Sequence, residues 1–170
     1  MTGEFTIEQG AQVLAETMPG CVRELGLTVE YLGEGSATLR MRPTAMACRE
    51  GGIYAGQALA ALADTAMCFA IWTDGRGRRP VATVDLHVTF LRGGGQEDLL
   101  AKAEIVRSGR TLSFCKVSMV LADSGKDVAS VLLTPVAIYP ENVKDVVADK
   151  FTTADKLCTT AALKAACTKN

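Results

Sequence analysis

The stretch "GGIYAGQALAALADTAMCFAIW", residues 51–72, decides the fold. After Ala58 almost every residue is apolar, and the Ala and Leu that predominate favour an α-helix. The stretch ends near "DGRG" at 74–77, where glycines interrupt a helical pattern. The sequence therefore predicts one long apolar helix from Gln57 to about Thr73.

One acidic residue, Asp64, lies in the middle of this apolar helix. A carboxylate removed from water without partners is unfavourable, so its presence needs a reason. One interpretation is functional, because a carboxylate partly withdrawn from water is a stronger base. The other is structural: an acid bonded to a backbone group or to a lysine. The residue types alone allow both.

The rest of the chain alternates between polar and apolar residues, as β-strands do. After the helix, "VATVDLHVTFL" at 81–91 places one apolar set on a single face: Val84, Leu86, Val88 and Phe90. Three further strands are predicted within 98–109, 110–123 and 126–140, with short turns between them.

Before the apolar helix, residues 6–18 have helical spacing, and residues 27–43 form two strands around "GEGS". One apolar helix among several antiparallel strands predicts an α+β fold in which the sheet wraps around the helix. We assign this domain to residues 1–140. The C-terminal tail, 141–170, is predicted to be a helical extension, because its apolar residues recur every three to four positions.

Composition excludes several classes of function. The 170 residues are 48% hydrophobic with a net charge of −1, which does not favour a nucleic-acid partner. The six cysteines form no CxxC pair, so we expect no metal site. No stretch is long enough and apolar enough for a membrane span, and the N-terminus lacks a signal-peptide pattern. We therefore expect a cytoplasmic protein with no membrane partner.

With these residues in view, the chain resembles the hotdog-fold acyl-CoA thioesterases of the phenylacetate-pathway (PaaI-like) type, over roughly residues 10–139. The family reads N-x-x-G-x-x-H-G-G, then six residues, then D-T-A. The matching positions here are Gly52, Gly56, Asp64, Thr65 and Ala66. The downstream stretches "VDLHVTFLR" and "AEIVRSGRTLSF" are also typical of this family.

Three positions depart from the family pattern. Arg49 stands in place of the Asn, Ala55 in place of the His, and Gln57 in place of the second Gly of the pair. The single histidine, His87, lies elsewhere and is predicted on the polar face of a strand. Arg49 and Tyr54 flank the altered positions and are candidate hydrogen-bond donors; solvated loop residues are the alternative.

The resemblance implies hydrolysis of an acyl-CoA thioester, with Asp64 as general base or nucleophile. The N–H groups of Gly56 and Gln57, at the helix N-terminus, would bind the developing oxyanion, and glycine at 56 would let the acyl group approach. Thr83 would position the attacking water. Each site would be shared between two subunits of a homodimer or homotetramer, with the helix N-terminus of one facing the Asp of the other.

Other residues are candidates for substrate contact. Gly52 belongs to the loop that leads into the helix, and a turn glycine is its alternative interpretation. Thr65 has the alternative of bonding back to the preceding helical turn. Arg110, at a turn that contacts CoA in the family, and the "GRGRR" loop at 75–79 are candidates for phosphate binding; solvated arginines are the alternative.

The resemblance implies no metal and no cofactor other than the CoA carried by the substrate. A second hypothesis is an acyl-CoA-binding or acyl-ligand-binding hotdog protein without catalysis, favoured by Arg49 and Ala55. A third, a hotdog dehydratase or hydratase, would need a histidine near Asp64, and the sequence places none there. The identity of the acyl group is left open.

Overall fold

A computed structural model describes residues 5–132. Three short helical segments come first: α1 (Ile7–Gln12), a π-helix (Val13–Thr17) and α2 (Gly20–Arg23). The strands are β1 (Thr28–Gly33), β2 (Ser36–Met41), β3 (Cys48–Arg49), β4 (Ile53–Tyr54), β5 (Val88–Phe90), β6 (Leu99–Ser108), β7 (Ser113–Leu121) and β8 (Asp127–Leu132). The long helix α3 is Gly56–Trp72, and a 3₁₀ turn, Glu50–Gly52, lies between β3 and β4.

Six of the strands form one sheet in the order β1-β2-β6-β7-β8-β5. Every pair of neighbours is antiparallel. Leu39 lies opposite Ala101, which lies opposite Met119, and all three side chains are buried. The alternation in the sequence therefore corresponds to one buried sheet face and one exposed face. The predicted antiparallel α+β architecture is confirmed.

The buried sheet face packs against α3. The helix lies against β2, β6 and β7, and its Leu62, Ala63, Ala66, Phe69 and Ala70 are fully buried. The small alanines let the helix approach the sheet closely, while Phe69 packs edge-on against Phe5 and tilted against Trp72. The predicted helix is confirmed, with its ends within one residue of those expected.

The N-terminal segment differs from the single helix predicted over 6–18. A capping box between Thr6 and Gln9 starts α1. The chain then widens into a π-turn, in which the Met18 N–H bonds the Val13 carbonyl, before Pro19 ends the helix. Proline supplies no N–H and its ring clashes with a preceding helical turn, so a continuous helix cannot pass this position.

The strand predicted over 81–91 is realised only as β5, Val88–Phe90. Among the strands of residues 5–132, this one is at the edge of the sheet and pairs with β8. Residues 81–87 form no strand, and Val84 is 69% exposed although the pattern predicted a buried face. The described part of β8 ends at Leu132, so it covers only the end of the predicted strand.

The described residues 5–108 and 113–132 belong to one compact unit. The turn Gly109–Leu112, which joins β6 to β7, belongs to a second unit. The predicted boundary at 140–141, the tail helix over 141–170 and the end of the strand predicted to 140 lie outside the described residues. Between residues 5 and 132, no helix combines the length and the apolar content that crossing a bilayer requires.

Candidate active site

The N-terminus of α3 has no capping side chain. Ala55 is the N-cap residue, where Ser, Thr, Asp or Asn would normally bond the first-turn N–H groups. The first intrahelical bond runs from Leu59 N to Ala55 O at 3.1 Å, so Gly56 and Gln57 precede the helical ladder. Their N–H groups, at the positive end of the helix dipole, are suited to bind a partial negative charge on a ligand.

The loop before α3 is held in place by close backbone packing. Gly51 and Gly52 have φ values of 81° and 70°, which side-chain-bearing residues rarely adopt. Gly95 lies directly against Gly52, since a Cβ at Gly95 would overlap the Gly52 carbonyl oxygen. Tyr54 N also donates to Gly94 O at 2.8 Å. The glycine run at 93–95, which the sequence interpretation did not use, therefore fixes the entry to the helix.

Asp64 lies half-buried on α3 and accepts a hydrogen bond from Thr83 Oγ1 at 2.5 Å. Thr83 comes from the segment before β5, 19 residues further along the chain. The contact leaves Asp64 within reach of solvent, since Thr83 itself is exposed. The two residues that the sequence placed in base and water-positioning roles are thus in direct contact. A hydroxyl bonded to one carboxylate oxygen orients the group for proton transfer.

Cys68 lies one helical turn after Asp64, and sequence reasoning gave it no role. Burial raises the pKa of its thiol to about 11, and the nearby Asp64 carboxylate adds to this. The side chain is therefore a neutral thiol at physiological pH and a weak nucleophile. Its helical spacing from Asp64, four residues, was the signal that could have identified it.

Two predicted substrate contacts have their hydroxyl groups engaged inside the protein. Tyr54 is buried, and its hydroxyl lies 3.0 Å from Met41 O and 2.9 Å from Glu97 O. Burial raises the pKa of this phenol, so it stays protonated and donates. Thr65 Oγ1 donates to Ala61 O at 2.7 Å, the alternative considered for it from the sequence. The Tyr54 bonds join β4 to β2 and to the segment before β6, whereas the Thr65 bond lies within α3.

The remaining candidate residues named from the sequence are exposed on the surface. Arg49 is exposed on β3, next to the 3₁₀ turn that contains Gly52. Arg110 is an exposed residue of the turn 109–112. His87 is exposed in the segment before β5. Among the described residues, no group of three or more His, Cys, Asp or Glu side chains is arranged to hold a metal ion.

The "GRGRR" loop is organised around a carboxylate. Asp74 is 7% exposed and pairs with Arg79 at 2.7 Å and with Arg76 at 2.5 Å. Burial alone would raise the pKa of Asp74, but the hydrogen bonds from Arg79 and Arg76 outweigh it and hold the pKa well below its usual range. Arg78 lies over the Trp72 ring, 5.5 Å from its centroid. Through these contacts, the arginines of the loop bind Asp74 and Trp72 at the C-terminal end of α3.

Comparison with known proteins agrees with this architecture. Residues 51–128 match the model of the thioesterase superfamily. A Halobacterium salinarum protein whose name describes it as an esterase is 34% identical over 132 residues, which cover 71% of this chain and 83% of that protein. The chain belongs to the thioesterase superfamily. The family prediction made from Gly52, Gly56 and the D-T-A stretch is confirmed.

Solved structures show that this superfamily member has the hotdog fold. Zebrafish thioesterase superfamily member 2 superposes with a TM-score of 0.68 at 28% identity, covering 74% of this chain and 94% of the other. The PaaI protein of the Escherichia coli phenylacetic acid degradation operon gives 0.62 at 26% identity, covering 74% and 88%. The predicted hotdog fold and the PaaI-like resemblance are confirmed.

One chain of this hotdog protein does not bring its two groups of candidate residues together. Gly56 and Asp64 are eight residues apart on α3, about 12 Å along the helix axis. Two surface hollows of about 360 and 340 Å³ are lined by the N-terminal helices, β1 and Arg78, away from both groups. Within one chain, the helix N-terminus and the Asp64–Thr83 pair are therefore two separate groups.

Proposed function

We propose that this thioesterase-superfamily protein hydrolyses an acyl-CoA thioester to a free acid and CoA. The observation that carries the proposal is the Asp64–Thr83 hydrogen bond on a helix that is otherwise apolar and uncapped at its N-terminus. A half-buried carboxylate held by a hydroxyl is suited to act on a water molecule or to attack a carbonyl carbon. The family membership supports the same reaction class.

In the proposed reaction, the Asp64 carboxylate accepts a proton from a water molecule as that water attacks the thioester carbonyl carbon. The carbonyl electrons move to oxygen, where the Gly56 and Gln57 N–H groups bind the negative charge. Collapse of this intermediate breaks the C–S bond, and the CoA sulfur takes up the proton. In the alternative form of the mechanism, Asp64 attacks the carbonyl carbon itself and displaces the CoA thiolate as the C–S bond breaks. Water then hydrolyses the resulting mixed anhydride, which restores the Asp64 carboxylate, and a proton from that water passes to the thiolate.

This chemistry requires two copies of the chain. The attacking water and the oxyanion donors must both lie about 3 Å from the reacting group, whereas Gly56 and Asp64 of one chain are about 12 Å apart. We therefore propose a homodimer, or a tetramer built from it, in which the helix N-terminus of one chain faces Asp64 of the other. The exposed apolar residues beside the edge strand β5 support this pairing; they are Val81, Val84, Phe90 and Leu91.

The remaining candidate residues are proposed to contact the substrate. Arg110, in the turn after β6, is proposed to bind the phosphates of CoA, because a guanidinium forms paired hydrogen bonds with phosphate oxygens. Arg49 is an exposed donor next to the Gly52 turn and is proposed to contact the substrate there. Gly52, Tyr54 and Thr65 are proposed to shape the entry to the site through their backbone and packing contacts.

The test is hydrolysis of short, long and aromatic acyl-CoAs by the wild type, Asp64→Asn and Asp64→Ala. We expect both variants to lose at least about a hundredfold in kcat/KM, since general-base catalysis contributes on that order. Asp85→Asn, an exposed acid outside α3, is the matched control and should keep its activity. Full activity in both Asp64 variants would remove Asp64 from the mechanism.

The second candidate is an acyl-CoA-binding protein without catalysis. It is favoured by Arg49 and Ala55, which replace two polar groups of the family pattern. Such a protein would show a higher Tm with acyl-CoA, because a ligand that binds only the folded state stabilises it, yet would release no free thiol. Following thiol release and Tm on the same samples separates the two functions.

A further inference from the structure

We propose that Phe90 positions the N-terminus of α3 for the reaction by covering Gly56 with its ring. This inference rests on the proposed function and adds a positioning residue that neither the motif nor the resemblance identified. Phe90 is the last residue of β5, whereas Gly56 is the first residue of α3. Their contact joins the sheet edge to the helix end that carries the oxyanion donors.

The distances show how closely the ring approaches. A Cβ atom on Gly56 would lie 3.3 Å from Phe90 Cζ, 3.6 Å from Cε1 and 3.8 Å from Cε2. A separation of 3.3 Å is tighter than ordinary van der Waals contact, so an alanine at this position would displace the ring or the helix end by a few tenths of an ångström. Glycine at 56 therefore leaves space for Phe90, in addition to any approach of substrate.

The neighbouring strand holds the ring in this place. Phe90 lies opposite Ala129 of β8, and the next residue, Leu91, donates its N–H to Val128 O at 2.9 Å. Val128 and Ala129 are fully buried, so the backbone beneath Phe90 is anchored in the core. Phe90 is 55% exposed in the single chain, so part of its surface faces outward from the helix end, towards the second copy in the proposed dimer.

The position of the ring has a consequence for the reaction. An apolar ring against Gly56 excludes water from one side of the first-turn N–H groups, and hydrogen bonds to developing charge are stronger where water is excluded. It also closes one direction of approach, so the carbonyl oxygen must reach the amides from the other side. Phe90 thus acts through Gly56 and Gln57, as a positioning residue.

The test is a double-mutant cycle between Gly56→Ala and Phe90→Ala, measured as kcat/KM on the acyl-CoA that the wild type hydrolyses fastest. Gly56→Ala should lose at least about tenfold, because small displacements at a reacting centre are costly. The double variant should be no less active than Phe90→Ala alone, since removing the ring relieves the clash. Phe90→Leu, which keeps an apolar cover, should recover part of the activity lost in Phe90→Ala.

Leu91→Ala is the matched control, because Leu91 is adjacent on the chain and 53% exposed. Combined with Gly56→Ala it should give additive losses, and the oligomeric state of every variant is checked by light scattering. Additive losses for Phe90→Ala, or full activity in Gly56→Ala, would overturn the inference while leaving the proposed function intact. Absence of turnover in the wild type would overturn the proposed function and the positioning role with it; the cycle in Tm would then report the packing contact alone.

Discussion

At the scale of single residues, the central feature is the pairing of Asp64 with Thr83. The carboxylate lies on a helix whose neighbouring residues Ala63 and Thr65 are buried, and the hydroxyl comes from a segment without secondary structure. The 2.5 Å contact fixes one oxygen of the carboxylate and leaves the other for water or substrate. Thr83 therefore determines how the proposed base is oriented.

Thr83→Val tests this role, since it removes the hydroxyl and keeps the shape of the side chain. We expect kcat to fall about tenfold with little change in KM, because the base loses its orientation rather than its binding surface. Thr83→Ser retains the hydroxyl and should stay within about threefold of the wild type in steady-state kinetics. Equal activity of the Val and Ser variants would contradict an orienting role.

At the scale of elements, the two ends of α3 differ in how side chains bond their backbone groups. The N-terminal end has Ala55 as its N-cap and no side-chain acceptor for its first N–H groups. At the C-terminal end, Arg79 donates to the Ile71 carbonyl at 3.2 Å and pairs with Asp74. Because an acid near a helix C-terminus opposes the helix dipole, the arginines stabilise both the carbonyl and the carboxylate. The C-terminal end is therefore hydrogen-bonded by a side chain of the same protein, whereas the first N–H groups of the N-terminal end have no side-chain acceptor.

Ala55→Ser should make the protein more stable and less active. The serine oxygen would bond a first-turn N–H and raise the free energy of unfolding by about 1 kcal/mol, the usual effect of an N-cap. The same bond would compete with the thioester oxygen, so kcat/KM should fall. Urea denaturation and kinetics on one preparation check both effects, with Ala55→Val as the non-capping control. A variant that is more stable and equally active would show that these amides do not take part.

Asp74→Asn should lower the free energy of unfolding by about 2 kcal/mol at neutral pH, because the largely buried Asp74 carboxylate no longer accepts charged hydrogen bonds from Arg76 and Arg79. The pKa of Asp74 is lowered in the folded state, so its stabilising effect is fully present above the ordinary value of 3.8 and declines as the pH falls below it. Urea denaturation at pH 7, 5 and 3 should show an equal difference at the first two and a smaller one at the third.

Asp98→Asn is the control for this measurement. Asp98 pairs with Arg40 at 2.9 Å, but its side chain is 31% exposed, against 7% for Asp74. Solvent screening weakens an exposed pair, so the loss should stay below about 1 kcal/mol. Equal losses in the two variants would contradict the importance of burial for the Asp74 pair.

At the scale of the whole molecule, the proposed catalytic groups are divided between the two halves of α3, and the sheet edge at β5 carries exposed apolar residues. Val84 is the most exposed large hydrophobic residue of the described chain, and it follows Thr83 directly. In the proposed dimer, a second copy covers this edge, buries that surface and places its own Asp64 against the first helix N-terminus. The proposed catalytic activity then depends on formation of the dimer.

Mixed dimers of two inactive chains test the shared site. Asp64→Asn removes the proposed base, and Gln57→Pro removes one oxyanion N–H at a position where a helix tolerates proline. A heterodimer isolated with two affinity tags contains one intact site, so it should have about half the activity of a wild-type dimer. Gln57→Ala, which keeps the N–H, should be active alone. An inactive heterodimer would place both groups of each site within one chain.

The sequence alone predicted the elements that depend on local pattern. Apolar composition placed α3, alternation placed β6, β7 and β8, and Asp64 stood out because an acid in an apolar helix is unfavourable. Residue type and spacing also identified Gly52, Gly56 and Thr65 through the family motif. Such signals are carried within a few residues of one another, so they can be read without coordinates.

Only the tertiary structure decided what these residues contact. The partner of Asp64 lies 19 residues away, the ring against Gly56 comes from β5, and the arginines of 75–79 are bound to Asp74. The strand expected over 81–91 is observed only as β5, where β8 lies beside it, because strand formation depends on a neighbour as well as on alternation. Contacts between distant segments depend on how the whole chain packs, and no local pattern encodes that packing.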